Sequence, residues 1–301
     1  MRPRITVVGG ANTDIVGMPT GRYSSRDSNP GHVRTSSGGV GRNIAENLVR
    51  LGADVRLVTA FGDDGAAAAL IEECLELGID VEYSVTAHGV PGARYLAVLD
   101  GAGDLATAVN DMRALEALTP DRLDPAAFEG ADAVVLDTNL RASSVARAAE
   151  LAGGAPVVLD PVSTAKAPAA LPVLGRLTAL KANLREAEEL SGAAGAEGAA
   201  SRLLEAGVQQ VFVTMGPDGV WCADRGGAFG LPTAAKHVVN ATGAGDAFTA
   251  GVAWGLATGM TMRATAEWAS GLAAIALQSA RTVSEDISAA KLRGGTEARH
   301  R

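Results

Sequence analysis

Short apolar runs that end in glycine or a polar side chain recur along the chain and divide it. Ile5 to Gly10 (ITVVGG), Asp54 to Phe61 (DVRLVTAF), Ala131 to Asn139 (ADAVVLDTN), Ala155 to Ser163 (APVVLDPVS) and Val211 to Gly216 (VFVTMG) read as buried strands. Between them the spacing turns helical. Ile44, Leu48 and Leu51 stand at i, i+4 and i+7, with Gly52 as the stop. Gly65 to Leu77 before Gly78, residues 143 to 152, and the end of LTALKANLREAEEL (177 to 190) are further helices. From Ala131 onward strand and helix alternate, which predicts a parallel sheet covered by helices, an α/β fold. The run after Asp246 is apolar nearly all round and so is a buried helix, with a second Ala-rich helix at Met262 to Ser279 beside it.

Two stretches depart from that pattern. Residues 17 to 37 are rich in Gly, Ser, Arg and Pro and read as a loop or weak exposed strands. Arg94 to Leu99 and Ala106 to Val109 flank Asp100-Gly101-Ala102-Gly103-Asp104, a hairpin signal. Residues past about Gly294 read as a frayed tail, and no internal repeat is present.

The chemistry gathers at strand ends and glycine turns. Val238-Val239 runs into Thr242-Gly243-Ala244-Gly245 and then into a helix whose one early charge is Asp246. Bare backbone at a helix N-terminus presents unpaired N–H groups to an anion, so a phosphate is the expected guest. A carboxylate beside it is suited to accept a proton from an attacking hydroxyl. Read alone, Asp246 serves equally as a dipole-compensating helix residue. Asn12 and Asp14 follow the first strand, where ligands of open α/β sheets bind, although an Asx turn explains them as well. Gly38-Gly39-Val40-Gly41-Arg42-Asn43 is a glycine turn entering a helix; it is not the dinucleotide fingerprint GxGxxG, which disfavours a dinucleotide-dependent oxidoreductase. Asn183 and Glu186, three apart at a helix start, are either ligand-facing or a capping box. Val211 to Gly216 ends in Thr214 and Gly216, followed by the turn Pro217-Asp218-Gly219.

Composition narrows the partners. The 301 residues are 47% hydrophobic but only 4% aromatic, and the net charge is -8. An acidic protein of this kind is repelled by nucleic acid and by anionic membranes, which leaves small ligands. Cys74 and Cys222 are too few for a disulfide framework, which fits the cytoplasm. The apolar run after Arg2 and Arg4 is too short for a signal peptide, and no apolar run is long enough to span a membrane.

Taken in order, Asn12-x-Asp14, Gly38-Gly39-x-Gly41-x-Asn43, Asn183-x-x-Glu186, Thr214-x-Gly216 and Thr242-Gly243-Ala244-Gly245-Asp246 resemble the pfkB or ribokinase-type carbohydrate kinases over nearly the whole chain. The resemblance implies one ribokinase-like domain: a doubly wound, mainly parallel sheet flanked by helices, with a small β-sheet lid from about 13–36 and 92–111. It implies ATP and Mg²⁺, and transfer to a sugar hydroxymethyl group. Asp246 is then the catalytic base and Gly243, Ala244 and Gly245 the anion hole. Asn12, Asp14, Gly38, Gly39 and Asn43 hold the sugar. Asn183, Glu186, Thr214, Gly216, Gly219 and Thr242 lie on the nucleotide side, with Glu186 reaching Mg²⁺ through water. Pairing of two copies through the lid is a further expectation, since exposed strands gain from cover.

Within the family, Asp27 to Gly31, Gly38 to Ala45, Ala108 to Met112, Asp160 to Ser163 and Asn240-x-Thr242 resemble members that phosphorylate the 5′-hydroxyl of the C-nucleoside pseudouridine. For such a base Ser28, Asn29, Asn110, Asn139 and Lys166 are the polar candidates. Ribose, fructose or a purine nucleoside is the alternative acceptor, and a non-catalytic sensor the alternative of another class. Many members carry Asp where this chain has Asn240. Loss of that full charge weakens the monovalent-cation (K⁺) site the family implies, although Asn240 still offers a carbonyl oxygen.

Overall fold

A computed structural model describes residues 2–235 and 237–290. The tail expected at 295–301 lies outside the described residues. The strands are β1 (Arg4–Val8), β2 (Asn12–Pro19), β3 (Gly31–Gly38), β4 (Asp54–Val58), β5 (Ala60–Phe61), β6 (Ile79–Asp80), β7 (Val85–Thr86), β8 (Arg94–Leu99) and β9 (Leu105–Asp111). They continue with β10 (Ala133–Asp137), β11 (Val157–Asp160), β12 (Ala179–Asn183), β13 (Gln210–Thr214), β14 (Val220–Asp224) and β15 (Gly227–Leu231). The helices are α1 (Val40–Leu51), α2 (Gly65–Glu76), α3 (Ala142–Leu151), α4 (Leu184–Ser191), α5 (Ala196–Glu205), α6 (Ala244–Ala257) and α7 (Met262–Leu277).

Nine strands form one sheet in the order β15-β14-β13-β12-β11-β10-β1-β4-β6. It is parallel from β6 to β13, and β14 and β15 add antiparallel at one edge. Successive residues of a strand face opposite layers. Val134 and Leu136 of β10 join the core under α3, α4 and α5, whereas Ala133 and Val135 join the core under α1, α2, α6 and α7. Strands covered on both faces must be apolar throughout, which explains why runs such as VVLD lack alternation.

The chain lays β1, β4 and β6 to one side and β10 to β13 to the other, so the strand order reverses between β1 and β10. That crevice, beyond the carboxyl ends, is where open α/β sheets bind ligands.

A separate four-stranded sheet, β3-β2-β8-β9, stands over this end. The stretch 17 to 37 that reads as loop or weak strands supplies the end of β2 and nearly all of β3, each an eight-residue strand. They carry few apolar side chains because much of this sheet is exposed. The expected hairpin is β8 and β9, with a bulge between Val98 and Leu99. The segment after Ser163 forms a 3₁₀ helix, Ala167–Arg176, as suits a stretch with Pro172 inside.

Candidate active site

The N-terminus of α6 forms one wall of the crevice. Gly243 takes φ 84°, and a Cβ there would lie 2.0 Å from the carbonyl oxygen of Thr282, so glycine alone fits. No side chain caps this helix, which leaves its first amides free for an anion. Ala244 and Gly245 open the helix, and a Cβ at Gly245 would meet Nζ of Lys181 at 2.8 Å.

Asp246 follows in the first turn, half-buried. Its Oδ2 accepts from Nδ2 of Asn43 at 2.8 Å. Burial, reinforced by the charge of Asp160, pushes its carboxyl up to about 7, against the pull of Asn43 and Lys181. A carboxyl poised there suits general-base work near neutral pH.

Beneath these groups lies a buried charged cluster, of which the motifs singled out in the sequence contain only Asp160. Asp137 and Asp160 end β10 and β11 in register. Lys181 of β12 donates to Oδ2 of Asp160 at 3.1 Å, and the Thr249 hydroxyl of α6 donates to the same oxygen at 2.7 Å. Burial opposes the Lys181 ammonium, but Asp160, Glu186 and Asp246 outweigh it and hold its pKa above the usual lysine range. Asp137 accepts from the Gly10 amide at 2.8 Å across the switch point, and burial raises its pKa. The available signal was a carboxylate or lysine at the end of each buried run, in VVLD, VVLD and ALKAN.

On the opposite side Asn12 and Asp14 meet. Nδ2 of Asn12 donates to Oδ1 of Asp14 at 2.6 Å, and the Asp14 pKa is raised by burial in spite of Asn12 and Arg42. Gly38 lies against this pair, since a Cβ there would sit 2.2 Å from Oδ2 of Asp14. Gly39, at φ 97°, passes so near β1 that a Cβ would lie 2.5 Å from the Gly10 carbonyl. Arg42, missed as a site residue, is buried and pairs with Glu46 and Glu73, while Glu73 also accepts from the Ser37 hydroxyl at 2.5 Å.

The nucleotide-side residues separate into two groups. Thr214, Gly216 and Gly219 line a cavity of about 450 Å³ with Pro232, His237, Ala244, Gly245 and Phe248. Asn183 and Glu186 form the capping box: Oδ1 of Asn183 accepts from the Glu186 amide at 3.0 Å, and Oε2 of Glu186 from the Asn183 amide at 2.8 Å. Glu186 is buried, which raises its pKa, and one carboxylate oxygen remains outside the box. The Thr242 amide donates to Oδ1 of Asn240 at 2.9 Å within an exposed turn.

A second cavity, about 820 Å³, opens between β9 and the loop after β10 and is lined by Asn110, Asp111, Arg113, Asn139 and Arg141. Lys166 donates to Oδ1 of Asn139 at 2.5 Å. Tyr95, which carried no sequence signal, shares a rung of the small sheet with Asp14 and Asn110. Ser28 and Asn29 are not brought to these groups. They lie in an exposed turn, where Asn29 bonds Ser24 and the Ser28 amide bonds Asp27.

Among the described residues no helix is long and apolar enough to cross a membrane, and no group of three or more His, Cys, Asp or Glu could hold a metal ion directly.

The pattern of the pfkB family carbohydrate kinases matches residues 2–288. The chain is 34% identical over 296 residues to the pseudouridine kinase of Escherichia coli K12, covering 96% of this chain and 95% of that protein. It is 38% identical over 277 residues to an uncharacterized sugar kinase, YeiI, of the same organism, covering 89% and 76%. A ribokinase structure from Thermotoga maritima superposes with a TM-score of 0.87 at 25% identity, covering 97% of this chain and 99% of that one.

Proposed function

The chain belongs to the pfkB family of carbohydrate kinases, and from that premise we propose that it transfers the γ-phosphoryl group of ATP to the 5′-hydroxyl of pseudouridine. The observation that carries the reading is Asp246, bonded to Asn43 and pushed up to about 7, beside an uncapped helix end whose glycine cannot be replaced without a clash.

Phosphoryl transfer asks a protein chiefly to align donor and acceptor and to stabilise charge. In this reading Asn12 and Asp14 orient the sugar, and Asp246 takes the proton from its 5′-hydroxyl. The amides of Ala244 and Gly245 meet the γ-phosphoryl oxygens, with Lys181 adding positive charge from below. Thr214, Gly216, Gly219 and Thr242 border the nucleotide. A cradle that a Cβ would fill fits a phosphate, and the mainly apolar cavity that runs from it past Phe248, Pro232 and Leu277 fits the flat base of a nucleotide. Glu186, with Asn183 beside it, would hold Mg²⁺ through water. That ion, when bound, neutralises phosphate charge.

The small sheet acts as the lid. Val33, Leu96 and Val109 stay exposed on it, and Ile15, Leu96 and Val109 share a rung, a face suited to pairing with a second copy. Asn240 uses its side-chain oxygen within its own turn and supplies no carboxylate, which weakens a K⁺ site there. Two buried free thiols fit a cytoplasmic setting.

The test is an acceptor panel with labelled ATP: pseudouridine, uridine, inosine, adenosine, ribose and fructose, each with Na⁺ or K⁺. Highest kcat/KM for pseudouridine is expected in either salt. A sugar or purine nucleoside ahead of it reassigns the acceptor, and tight nucleoside binding without transfer to any acceptor makes the protein a sensor.

A further inference from the structure

The side chain of Asn43 stands between two groups of fixed character. On one side its Nδ2 donates to Oδ2 of Asp246 at 2.8 Å, and on the other its Oδ1 accepts from Nη1 of Arg42 at 3.5 Å, a long contact to which the guanidinium charge adds. A guanidinium only donates, a carboxylate accepts, and a side-chain amide has one end of each kind. Only one orientation of Asn43 therefore satisfies both neighbours. Among the described residues Arg42 is the sole hydrogen-bond donor to that amide oxygen.

Arg42 can impose the orientation because it is itself held. It is buried, and its backbone amide donates to the Gly10 carbonyl at 3.1 Å, which ties the first turn of α1 to the end of β1. Nη1 bonds the Glu46 carboxylate one turn along α1, and Nη2 donates to Oε1 of Glu73 on α2 at 2.6 Å. Glu73 accepts from the Ser37 hydroxyl of β3 at 2.5 Å, and Glu46 accepts from Arg50 at 2.6 and 2.8 Å. A rigid planar fork gripped from two helices leaves little choice of position to the N–H that meets Asn43. The same charge acts on Asp14, opposing the burial that raises its pKa. One buried cation thus serves both the carboxylate that orients the sugar and the amide that bonds the base.

We propose that Arg42 is a positioning residue for catalysis, which locks the Asn43 side chain with its amino end toward Asp246. The proposal rests on the reading of Asp246 as the base and holds for whichever acceptor takes the phosphoryl group. With the lock gone, Asn43 is free to turn its oxygen to Asp246, where two acceptors face each other and the charged carboxylate is disfavoured. The charges that reach Asp246 from the other elements are Asp160 on β11, Lys181 on β12 and Asp137 on β10, and these stay in place when Arg42 is replaced.

The experiment measures kcat/KM from pH 5 to 9, with ATP and the acceptor that ranks first in the panel above, for the wild-type protein, Arg42→Met, Asn43→Ala and the double variant. Arg42→Met should raise the midpoint by about 0.5–1 pH unit, with a loss of rate of about three- to tenfold on the acidic side, the size of one hydrogen bond. The double variant should share the midpoint of Asn43→Ala, because Arg42 acts through that amide. Arg42→Lys, which also only donates, should bring the midpoint back toward the wild-type value. Replacing Arg42 leaves Glu46 paired with Arg50 and Glu73 with a half-exposed side chain, so neither carboxylate is buried alone, and thermal melts establish that the variants fold. Should the methionine variant not fold, Arg42→Gln takes its place with the same expectation, since glutamine can bond a glutamate yet offer either end of its amide to Asn43. An unshifted midpoint in the neutral variant, shifts that add in full in the double variant, or a lysine variant no closer to wild type than the neutral one overturns the proposal and leaves the kinase reading intact. Transfer to no acceptor of the panel by the wild-type protein removes the reading of Asp246 itself, and this proposal with it.

Discussion

The side-chain amide of Asn43 donates to the carboxylate of Asp246 over 2.8 Å, joining the first turns of two helices 203 residues apart in sequence. A hydrogen bond to a carboxylate favours its charged form, so Asn43 draws the Asp246 pKa down while burial drives it up to about 7. If Asp246 is the base, as proposed above, it works deprotonated, and kcat/KM should rise with pH through about 7 and then level. Asn43→Ala removes the opposing bond and should move that rise to higher pH, with the largest loss of rate below neutrality. Rate profiles of both proteins from pH 5 to 9 test this, and an unshifted midpoint separates Asn43 from the base.

Asp246→Asn should lose on the order of 10² or more in kcat while still binding nucleoside, the scale expected for a general base. Its stability should move the other way. The Asp246 pKa is higher in the folded protein than its ordinary 3.8, so the folded state holds that proton more firmly. The stabilisation is full below about pH 4 and is lost as pH rises through about 7. The Asn variant escapes that loss. It should melt at a higher temperature than the wild-type protein at pH 8, and the gap should narrow at pH 5 and close only below about pH 4. A gap that is constant with pH would show that the Asp246 carboxyl does not titrate across this range.

Lys181 and Asp160 form a buried pair, with the Thr249 hydroxyl as a third partner. Removing one member of such a pair leaves a charge stranded, typically at a cost of about 3–5 kcal/mol. Lys181→Met should therefore be strongly destabilised in denaturant titrations. Adding Asp160→Asn should recover part of the loss, because the carboxylate bonded directly to Lys181 is then no longer left stranded. A double variant no more stable than the single one would show that packing, not charge, sets the loss.

The large sheet and most of its helices were legible because burial on both faces imposes apolar runs on strands and i, i+4 spacing on helices. The small sheet was less so. Gly31–Gly38 is exposed along most of its length, so nothing forces an alternating pattern on it. At the site, the glycine turn, Asp246, Asn12 and Asn43 could be found because each sits in a short local motif. Asp137, Asp160 and Lys181 could not be assigned to one another, since their meeting depends on β10, β11 and β12 lying side by side. Tyr95 shows the same limit: its place in the rung of Asp14 and Asn110 is a matter of register, which one strand's sequence does not specify.

Val162 tests whether strain in the loop after β11 serves the site. At φ 64° a valine costs about 1–3 kcal/mol relative to a relaxed backbone, and glycine removes that strain. Glycine also adds unfolded-state entropy, which costs about 0.5–1 kcal/mol, so the strain relief is the larger effect. Val162→Gly should accordingly leave stability unchanged or slightly raised in equilibrium denaturation. In the reading proposed above Lys166 is a candidate contact to the nucleoside and not to ATP, so a freed loop that holds it less firmly should raise KM for the nucleoside severalfold and leave KM for ATP near its original value. A clear loss of stability would mean that the valine side chain contributes more by packing than its backbone loses by strain. An unchanged nucleoside KM would mean that the loop keeps its shape without it.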